Sequence, residues 1–403
     1  AKEDGAELIL IPNASPYRDD KQKDRLELFA DRYADTGLPM VYCNLVGGQD
    51  ELVFDGRSLL MDRAGGVAEP GPLCEEGLLL AEFEPGEGSL TWQDQCRSGP
   101  GPRLSSTDNP KESRAWPAPT STASAAELYK VIVTGLRDYV RKNGFTDVVF
   151  GLSGGIDSSL VLAVAVVALG PERVHTVMMP SRHTSGLSIE LAQKQAVGLG
   201  VDHRVISIEP AFEALLTLLE PSFVGHEADV TEENLQARAR GNLIMALSNK
   251  FGWLPIVTSN KSELAVGYCT IYGDMCGGFG PLLDCTKMRV YELSRYRNTV
   301  SPAIPENVIT RPPSAELRPD QQDQDSLPPY DVLDQVLQLY VEQDWSVEQI
   351  IAEGFDEQMV RRVARLVLIN EYKRRQAPPG VRITHRAFGR DRRYPITSGW
   401  RDM

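Results

Sequence analysis

The string Leu152-Ser153-Gly154-Gly155-Ile156-Asp157-Ser158-Ser159 restricts this chain more than any other. It follows the apolar run Val148-Val-Phe-Gly-Leu152, which reads as a buried strand, and opens a helix from Ser159. A strand feeding a helix through a Gly/Ser turn belongs to an α/β fold. The chemistry is equally restricted. Glycines let backbone amides approach an oxyanion, serine hydroxyls add donors, and the helix start adds positive potential, so the turn suits a phosphate. No G-x-x-x-x-G-K-[ST] string occurs, so this is not a Walker loop. An aspartate in an anion-binding loop repels phosphate unless it holds a cation. Asp157 therefore reads as a Mg2+ ligand beside a pyrophosphate, where oxygen donors are required.

The surroundings repeat the strand–helix theme. Leu128, Val131, Ile132, Leu136, Tyr139 and Val140 share one face of a helix at the 3.6-residue period. After Val148–Leu152 come a strand at 174–179, a helix from Ser188, a strand at 204–208 and another at 255–258. Helical stretches at 332–341, 346–352 and 357–375 close the series. This alternation predicts a doubly wound parallel sheet with ligands at the carboxyl ends of its strands. Ahead of it, residues 7–95 alternate short apolar runs with Gly, Asp and Asn turns, giving strands near 7–12, 39–43, 52–54, 58–61 and 78–83 beside one helix at 24–33. Residues 96–122, rich in Ser, Pro, Gly and Thr, bury too little to offset chain entropy. The expected organisation is a front domain at 1–95, a linker at 96–124 and a main domain at 125–403.

Bulk properties exclude several classes. A length of 403 residues with 42% hydrophobic content suits a globular protein of two or three domains. The formal charge of −14 opposes nucleic acid or an anionic membrane as partner, since both select a basic face. The cysteines, at 43, 74, 96, 269, 276 and 285, form no CxxC pair, so a reducing compartment, the cytoplasm, is expected rather than a disulfide framework or zinc site. No apolar run reaches ~18 residues, so no membrane span is expected. The start Ala1-Lys2-Glu3-Asp4 does not read as a signal peptide.

The SGGIDS loop resembles that of the PP-loop ATP pyrophosphatases, whose fold is adenine nucleotide alpha-hydrolase-like. Five further strings narrow the resemblance: Thr258-Ser-Asn-Lys-Ser-Glu263, Gly267-Tyr-Cys-Thr-Ile-Tyr-Gly-Asp274, Asp229-Val-Thr-Glu-Glu-Asn-Leu-Gln-Ala-Arg238, Pro313-Ser-Ala-Glu-Leu-Arg-Pro319 and, near the end, Phe388-Gly-Arg-Asp-Arg-Arg-Tyr-Pro395. Together they resemble glutamine-dependent NAD+ synthetases across residues 125–400. The resemblance implies ATP-dependent amidation of deamido-NAD+ through an acyl-adenylate, with release of AMP and pyrophosphate, in a homo-oligomer. It places Gly151, Leu152, Ser153, Gly154, Gly155, Ile156, Asp157, Ser158 and Thr258 on ATP. Asp157 and Glu263 would hold Mg2+, while Asn234, Glu263 and Lys373 would contact deamido-NAD+. Asp157, Glu263, Asp274 and Lys287 would surround the reacting centre, Lys287 countering charge as pyrophosphate leaves. Two departures bear on this. Ser259 stands where the family has Gly, which costs ~1 kcal/mol or more if the position needs a positive φ. Gly186-Leu187 replace an aspartate and a polar residue.

Residues 7–95 resemble the later half of a nitrilase-like glutaminase domain, through Asn13-Ala-Ser-Pro-Tyr17 and Val46-Gly-Gly-Gln-Asp-Glu-Leu-Val-Phe-Asp-Gly56. Ser15 and Lys21 correspond to glutamine-contacting positions. The family's Glu–Lys–Cys constellation lies upstream of Asn13, so this chain is expected to work with ammonia, and with glutamine only in an intact full-length enzyme. Cys43, in a strand-like run with no adjacent base, reads as a buried structural cysteine rather than a nucleophile. The alternatives are another PP-loop amidotransferase, such as a GMP-synthetase-like ligase, and a catalytically silent truncated subunit.

Overall fold

The computed structural model describes residues 2–67, 71–87, 89–92, 124–319, 321–397 and 399. The chain forms two compact units, Ala1–Val131 and Ile132–Met403. The expected linker lies outside the described residues apart from Ser124.

In the first unit, β1 (Ile9–Asn13) pairs in parallel with β2 (Met40–Asn44), and β5 (Leu59–Met61) joins β2 antiparallel. The intervening helix α1 (Lys21–Thr36) buries Phe29 against Met40, Tyr42, Leu59 and Met61. Two hairpins complete it, β3 (Val46–Gln49) with β4 (Leu52–Asp55) and β6 (Ala81–Glu84) with β7 (Ser89–Trp92). Arg25 forks onto both oxygens of the buried Asp55 carboxylate, at 2.9 and 2.7 Å. One expectation fails here: Cys43 is exposed. Side chains alternate along β2, so Met40, Tyr42 and Asn44 face inward while Cys43 points to the opposite side, as does Leu10 on β1.

In the second unit, α2 (Ala125–Lys142, which begins in the first unit) is followed by β8 (Val148–Gly151), α3 (Ile156–Leu169), β9 (Val174–Met178), α4 (Gly186–Leu199) and β10 (Asp202–Val205). Next come α5 (Glu209–Phe223), α6 (Val230–Phe251) and β11 (Leu254–Pro255). The strands form one parallel sheet in the order β10-β9-β8-β11. Chain order therefore runs outward from β8 through β10 and then crosses to its other side. Ligands of doubly wound sheets bind at such a switch point. Strand β8 is apolar and largely buried, β9 is buried at four of its five residues, and α3 is apolar beyond its first turn, so helices must cover both sides.

The last strand is shorter than expected because its continuation changes partner. Ile256 donates to Val149 at 2.9 Å and Val257 to Phe279 at 2.9 Å. The remainder is helical: α7 (Lys261–Val266), α8 (Lys287–Val300), α9 (Glu306–Thr310), α10 (Tyr330–Leu337), α11 (Val347–Ala352), α12 (Glu357–Ile369) and α13 (Glu371–Arg374). The expected helix at 332–341 becomes α10 plus a π-helical turn, Gln338–Glu342. That turn sets Glu342 against the buried Lys261, whose ammonium also reaches Asp284 at 2.9 Å, Thr384 at 2.6 Å and the Arg386 carbonyl at 3.0 Å. The expected helix at 357–375 breaks at Asn370, whose amide caps the Val266 and Leu366 carbonyls. Among the described residues no helix is long and apolar enough to cross a membrane.

Removing one partner of a buried charge cluster costs about 3–5 kcal/mol, because the partners stay charged and dry. Lys261→Met should lower the stability of the second unit by that amount, read as a shift in the urea midpoint. A midpoint equal to wild type would show that the cluster is not held.

Candidate active site

A cavity of about 440 Å3 opens at the carboxyl ends of β8, β9 and β11. The turn after β8 forms its floor. Leu152 still bonds to β9, its amide donating to Val177 at 3.0 Å, and then the chain leaves the sheet. Helix α3 starts at Ile156, three residues before the expected Ser159, and no side chain caps its N-terminus. Its first amides therefore keep donors and positive potential for an anion. Ser153 and Ser158 brace the turn, their hydroxyls 3.1 Å apart, and the Ser158 hydroxyl also meets the Gly155 carbonyl at 3.2 Å. Gly154 has φ +75, and a Cβ there would lie 2.3 Å from the Ser188 carbonyl oxygen, so only glycine fits.

Beside the turn, four side chains close a ring. The Lys287 ammonium donates to Asp157 Oδ2 at 2.7 Å and to Glu263 Oε1 at 2.9 Å. Asn260 Nδ2 donates to Asp157 Oδ1 at 2.8 Å, while Asn260 Oδ1 accepts from the Glu263 amide at 3.0 Å. Lys287 is buried, 2% exposed, with the Tyr330 ring 5.0 Å from its Nζ. Burial alone would depress its pKa; the carboxylates of Asp157 and Glu263 outweigh that and hold it well above the ordinary value. Burial raises Glu263 to about 8, with Lys287 opposing and Asp157 reinforcing. A lysine at the first position of α8 opposes the helix dipole. It is held there by Asp334, which accepts from Met288 N at 2.8 Å and from the Ser262 hydroxyl, itself the acceptor for Lys287 N at 2.9 Å.

The other sequence-derived positions gather round the same cavity. Gly151, Leu152, Ser153, Gly155, Ile156, Asp157, Ser158, Thr258, Asn234, Glu263, Asp274, Lys287 and Lys373 all line it; Gly154 sits behind. Thr270 Oγ1 donates to Asn234 Oδ1 at 2.8 Å. Lys373 spends two protons on the Gly267 and Cys269 carbonyls, both at 2.7 Å, and so anchors the loop that carries Asp274. The Asp274 carboxyl is reached by solvent through the cavity mouth, yet protein surrounds it over the longer range that matters for charge. Burial in that sense raises its pKa to about 6, against the Thr270 amide donating at 2.6 Å. Ser15 and Lys21 belong to the first unit, Ser15 accepting from Arg25 through its carbonyl at 2.8 Å. Ser259 is buried and has no positive φ, so it carries no backbone penalty.

Several lining residues escaped the sequence reading. Arg240 donates to the Met179 carbonyl at 3.0 Å and fixes the end of β9, its pKa lowered by burial to about 10. Glu316 accepts from the hydroxyls of Ser185 at 2.9 Å and Ser188 at 2.6 Å, and Arg311 donates to Ser188 at 2.9 Å. These contacts tie residues 311–316 to the start of α4, directly behind Gly154. Asp323, buried, accepts from Tyr268 at 3.2 Å and Tyr330 at 2.9 Å. Asn260, bonded to two lining residues, Asp157 and Glu263, had a local signal, the N-x-x-E pattern of a capping box.

Mg2+ prefers octahedral oxygen ligands and takes one or two carboxylates together with phosphates. Asp157 and Glu263 fit: both reach one ammonium, so a single cation can sit near both, and each oxygen keeps a lone pair beyond its described hydrogen bond.

The chain matches the family described as NAD synthase over residues 128–377. It is 51% identical over 401 residues to a glutamine-dependent NAD(+) synthetase of Xanthomonas campestris pv. campestris, covering 98% of this chain and 68% of that protein. With the corresponding protein of Acinetobacter baylyi it shares 49% over 397 residues, 98% and 69% of the two chains. A solved glutamine-dependent NAD+ synthetase of Acinetobacter baumannii, in complex with adenosine diphosphate, superposes with a TM-score of 0.67 at 45% identity, over 100% of this chain and 70% of that one. One from Cytophaga hutchinsonii gives 0.74 at 23% identity, over 99% and 70%, a likeness of fold alone.

Two outcomes follow from this geometry. A non-glycine residue held at the Gly154 conformation carries strain of about 1–3 kcal/mol. Gly154→Ala should fold but bind ATP roughly tenfold more weakly, measured calorimetrically; undiminished affinity would show that the turn does not seat phosphate. For Asp274, a raised folded pKa means that its contribution to stability is present below the unfolded value and lost as pH rises through about 6. The melting temperature of Asp274→Asn, relative to wild type, should therefore increase between pH 4 and pH 7. A flat difference would refute the raised value.

Proposed function

The chain belongs to the NAD synthase family, and from that premise we propose that this cavity amidates the nicotinate carboxylate of deamido-NAD+ to NAD+ at the expense of ATP. The observation that carries the reading is the ring of Asp157, Lys287, Glu263 and Asn260 beside the uncapped start of α3. A free carboxylate is a poor electrophile, so activation must precede amidation. The carboxylate oxygen attacks the α-phosphorus of ATP, giving an acyl-adenylate and pyrophosphate. Ammonia then adds to the activated carbonyl, the P–O-linked carboxyl oxygen leaves with AMP, and the nitrogen sheds a proton.

The protein contributes position and charge. Amides of the 153–158 turn, with the Ser153 and Ser158 hydroxyls, seat the β- and γ-phosphates, and Thr258 lies at the adenylyl side. Mg2+, held by Asp157 and Glu263, would neutralise phosphate oxygens when bound. Lys287 is preorganised: its ammonium is already desolvated and fixed, so it stabilises charge that develops on the departing pyrophosphate without reorganisation. Asn234, Asp274 and Lys373, which line the same cavity, receive deamido-NAD+. Lys373, with two protons on carbonyls, has a third for the ligand. The relatives are named glutamine-dependent; ammonia is the species that reacts in this cavity, and a homo-oligomer is the expected assembly.

The direct test supplies deamido-NAD+, ATP, Mg2+ and ammonium and reads AMP and NAD+, which should form in equal amounts. Lys287→Met should reduce kcat roughly 10²–10³-fold while the circular dichroism spectrum is retained. Wild-type turnover by this variant sinks the proposed role. Amidation of xanthylate instead of deamido-NAD+ would point to a GMP-synthetase-like ligase, and no turnover at all to a silent subunit.

A further inference from the structure

The contacts that set Asp157 against Glu263 run through Lys287 and Asn260. Asn260 is fully buried, 0% exposed, and sits in extended backbone (φ −115, ψ 174) as the N-cap of α7. Its side chain has two ends with separate tasks. The carbonyl oxygen accepts from the Glu263 amide at 3.0 Å, while the Glu263 carboxylate returns to the Asn260 amide at 3.4 Å. The amide nitrogen reaches across the switch point to Asp157 Oδ1 at 2.8 Å, joining positions 103 residues apart in sequence.

Capping does not explain the residue type. Ser, Asp and Asn serve about equally as N-caps, but Asp turns an acceptor toward Asp157 and Ser is too short to reach it. Only asparagine both caps α7 and offers a donor at that distance. The donor matters because a terminal carboxylate torsion is broad. With Lys287 alone beside it, the Asp157 carboxylate would rotate to place both oxygens on the ammonium. Asn260 fixes the carboxylate plane, with one oxygen on each partner and a lone pair of each left for another cation.

We propose that Asn260 is a positioning residue: its amide sets the Asp157 carboxylate so that Asp157 and Glu263 present oxygens to a single divalent cation alongside the ATP phosphates. This rests on reading Asp157 as a ligand of that cation.

The test uses the full chain and four variants, Asn260→Ser, Asn260→Asp, Asn260→Ala and Asp157→Asn. Thermal melting without ligand reports the cap. Calorimetric titration of Mg2+ in the presence of a non-hydrolysable ATP analogue reports the cation site independently of turnover. Asn260→Ser keeps the cap acceptor and should melt near wild type, whereas Asn260→Ala should melt lower and so should Asn260→Asp, which sets a second buried carboxylate against Asp157. Loss of an orienting partner typically costs 10–100-fold in metal affinity, so Asn260→Ser should need roughly tenfold more Mg2+, and Asn260→Asp should shift the Mg2+ midpoint as well. A wild-type midpoint in both overturns the proposal, leaving Asn260 as a cap and nothing more. Asp157→Asn separates the two levels. If it abolishes Mg2+ dependence while Asn260→Ser and Asn260→Asp keep the wild-type midpoint, only the role of Asn260 falls. If Asp157→Asn keeps wild-type Mg2+ dependence, the cation reading falls and the proposal with it.

Discussion

The ammonium of Lys287 is the charge around which this unit is assembled. Taking such an ion out of water costs several kcal/mol even after relaxation, and only close, well-placed carboxylates repay it. Asp157 and Glu263 meet that need from two different strand-to-helix connections, β8 to α3 and β11 to α7. Each lies in the first turn of its helix, α3 and α7, where the dipole favours a negative group. Lys287 lies at the first position of α8, where the dipole disfavours it. The starts of α3 and α7 converge because β8 and β11, neighbours in the sheet, deliver their chains to the same end, and the Lys287 amide docks the start of α8 there through the Ser262 hydroxyl at 2.9 Å. Break the adjacency of those strands and the charges have no common point.

The geometry of the turn after β8 depends on a second, mechanical constraint. Gly154 passes so close to the Ser188 carbonyl that the turn and the start of α4 cannot move independently. Ser188 is itself tied by its hydroxyl to Glu316 and Arg311. The segment 311–316 thus reaches the cavity floor through two serines, Ser185 and Ser188. Gly186 and Leu187, which depart from the family pattern, lie next to that tether but supply none of its side-chain bonds; a Cβ at Gly186 would meet open space. The tether needs Ser185 and Ser188, and both are present.

What was legible in the sequence was written locally. A strand, a Gly/Ser turn and a helix rich in Val and Leu sufficed to place β8, the turn and α3, and the order of the strings placed most of the cavity lining. Long-range causes stayed hidden. The amide of Asn260 has its partner 103 residues away, and Asp334, which holds the start of α8, lies 46 residues beyond Met288. The π-helical turn at 338–342 and the break at Asn370 arise where side chains serve Lys261 and the end of α7, not where helix propensity falters. Cys43 was misjudged because an apolar run does not tell which of its alternating faces is covered.

Two buried lysines, Lys261 and Lys287, differ in what surrounds them. Lys261 and Lys287 are both almost fully buried and both pair with two carboxylates. Around Lys261 the circle is complete: Asp284 is further satisfied by the Ile383 and Thr384 amides at 2.8 and 2.7 Å, and a hydroxyl and a carbonyl fill the remaining directions. Nothing is left for a ligand, and the residue does not line the cavity. Around Lys287 one cation faces two carboxylates with few other donors, and burial holds Glu263 up near 8. That imbalance is costly in the free protein and is relieved when more positive charge arrives. Such a place suits a cation accompanying phosphates, and protein elements that merely lock a fold have no reason to leave it open.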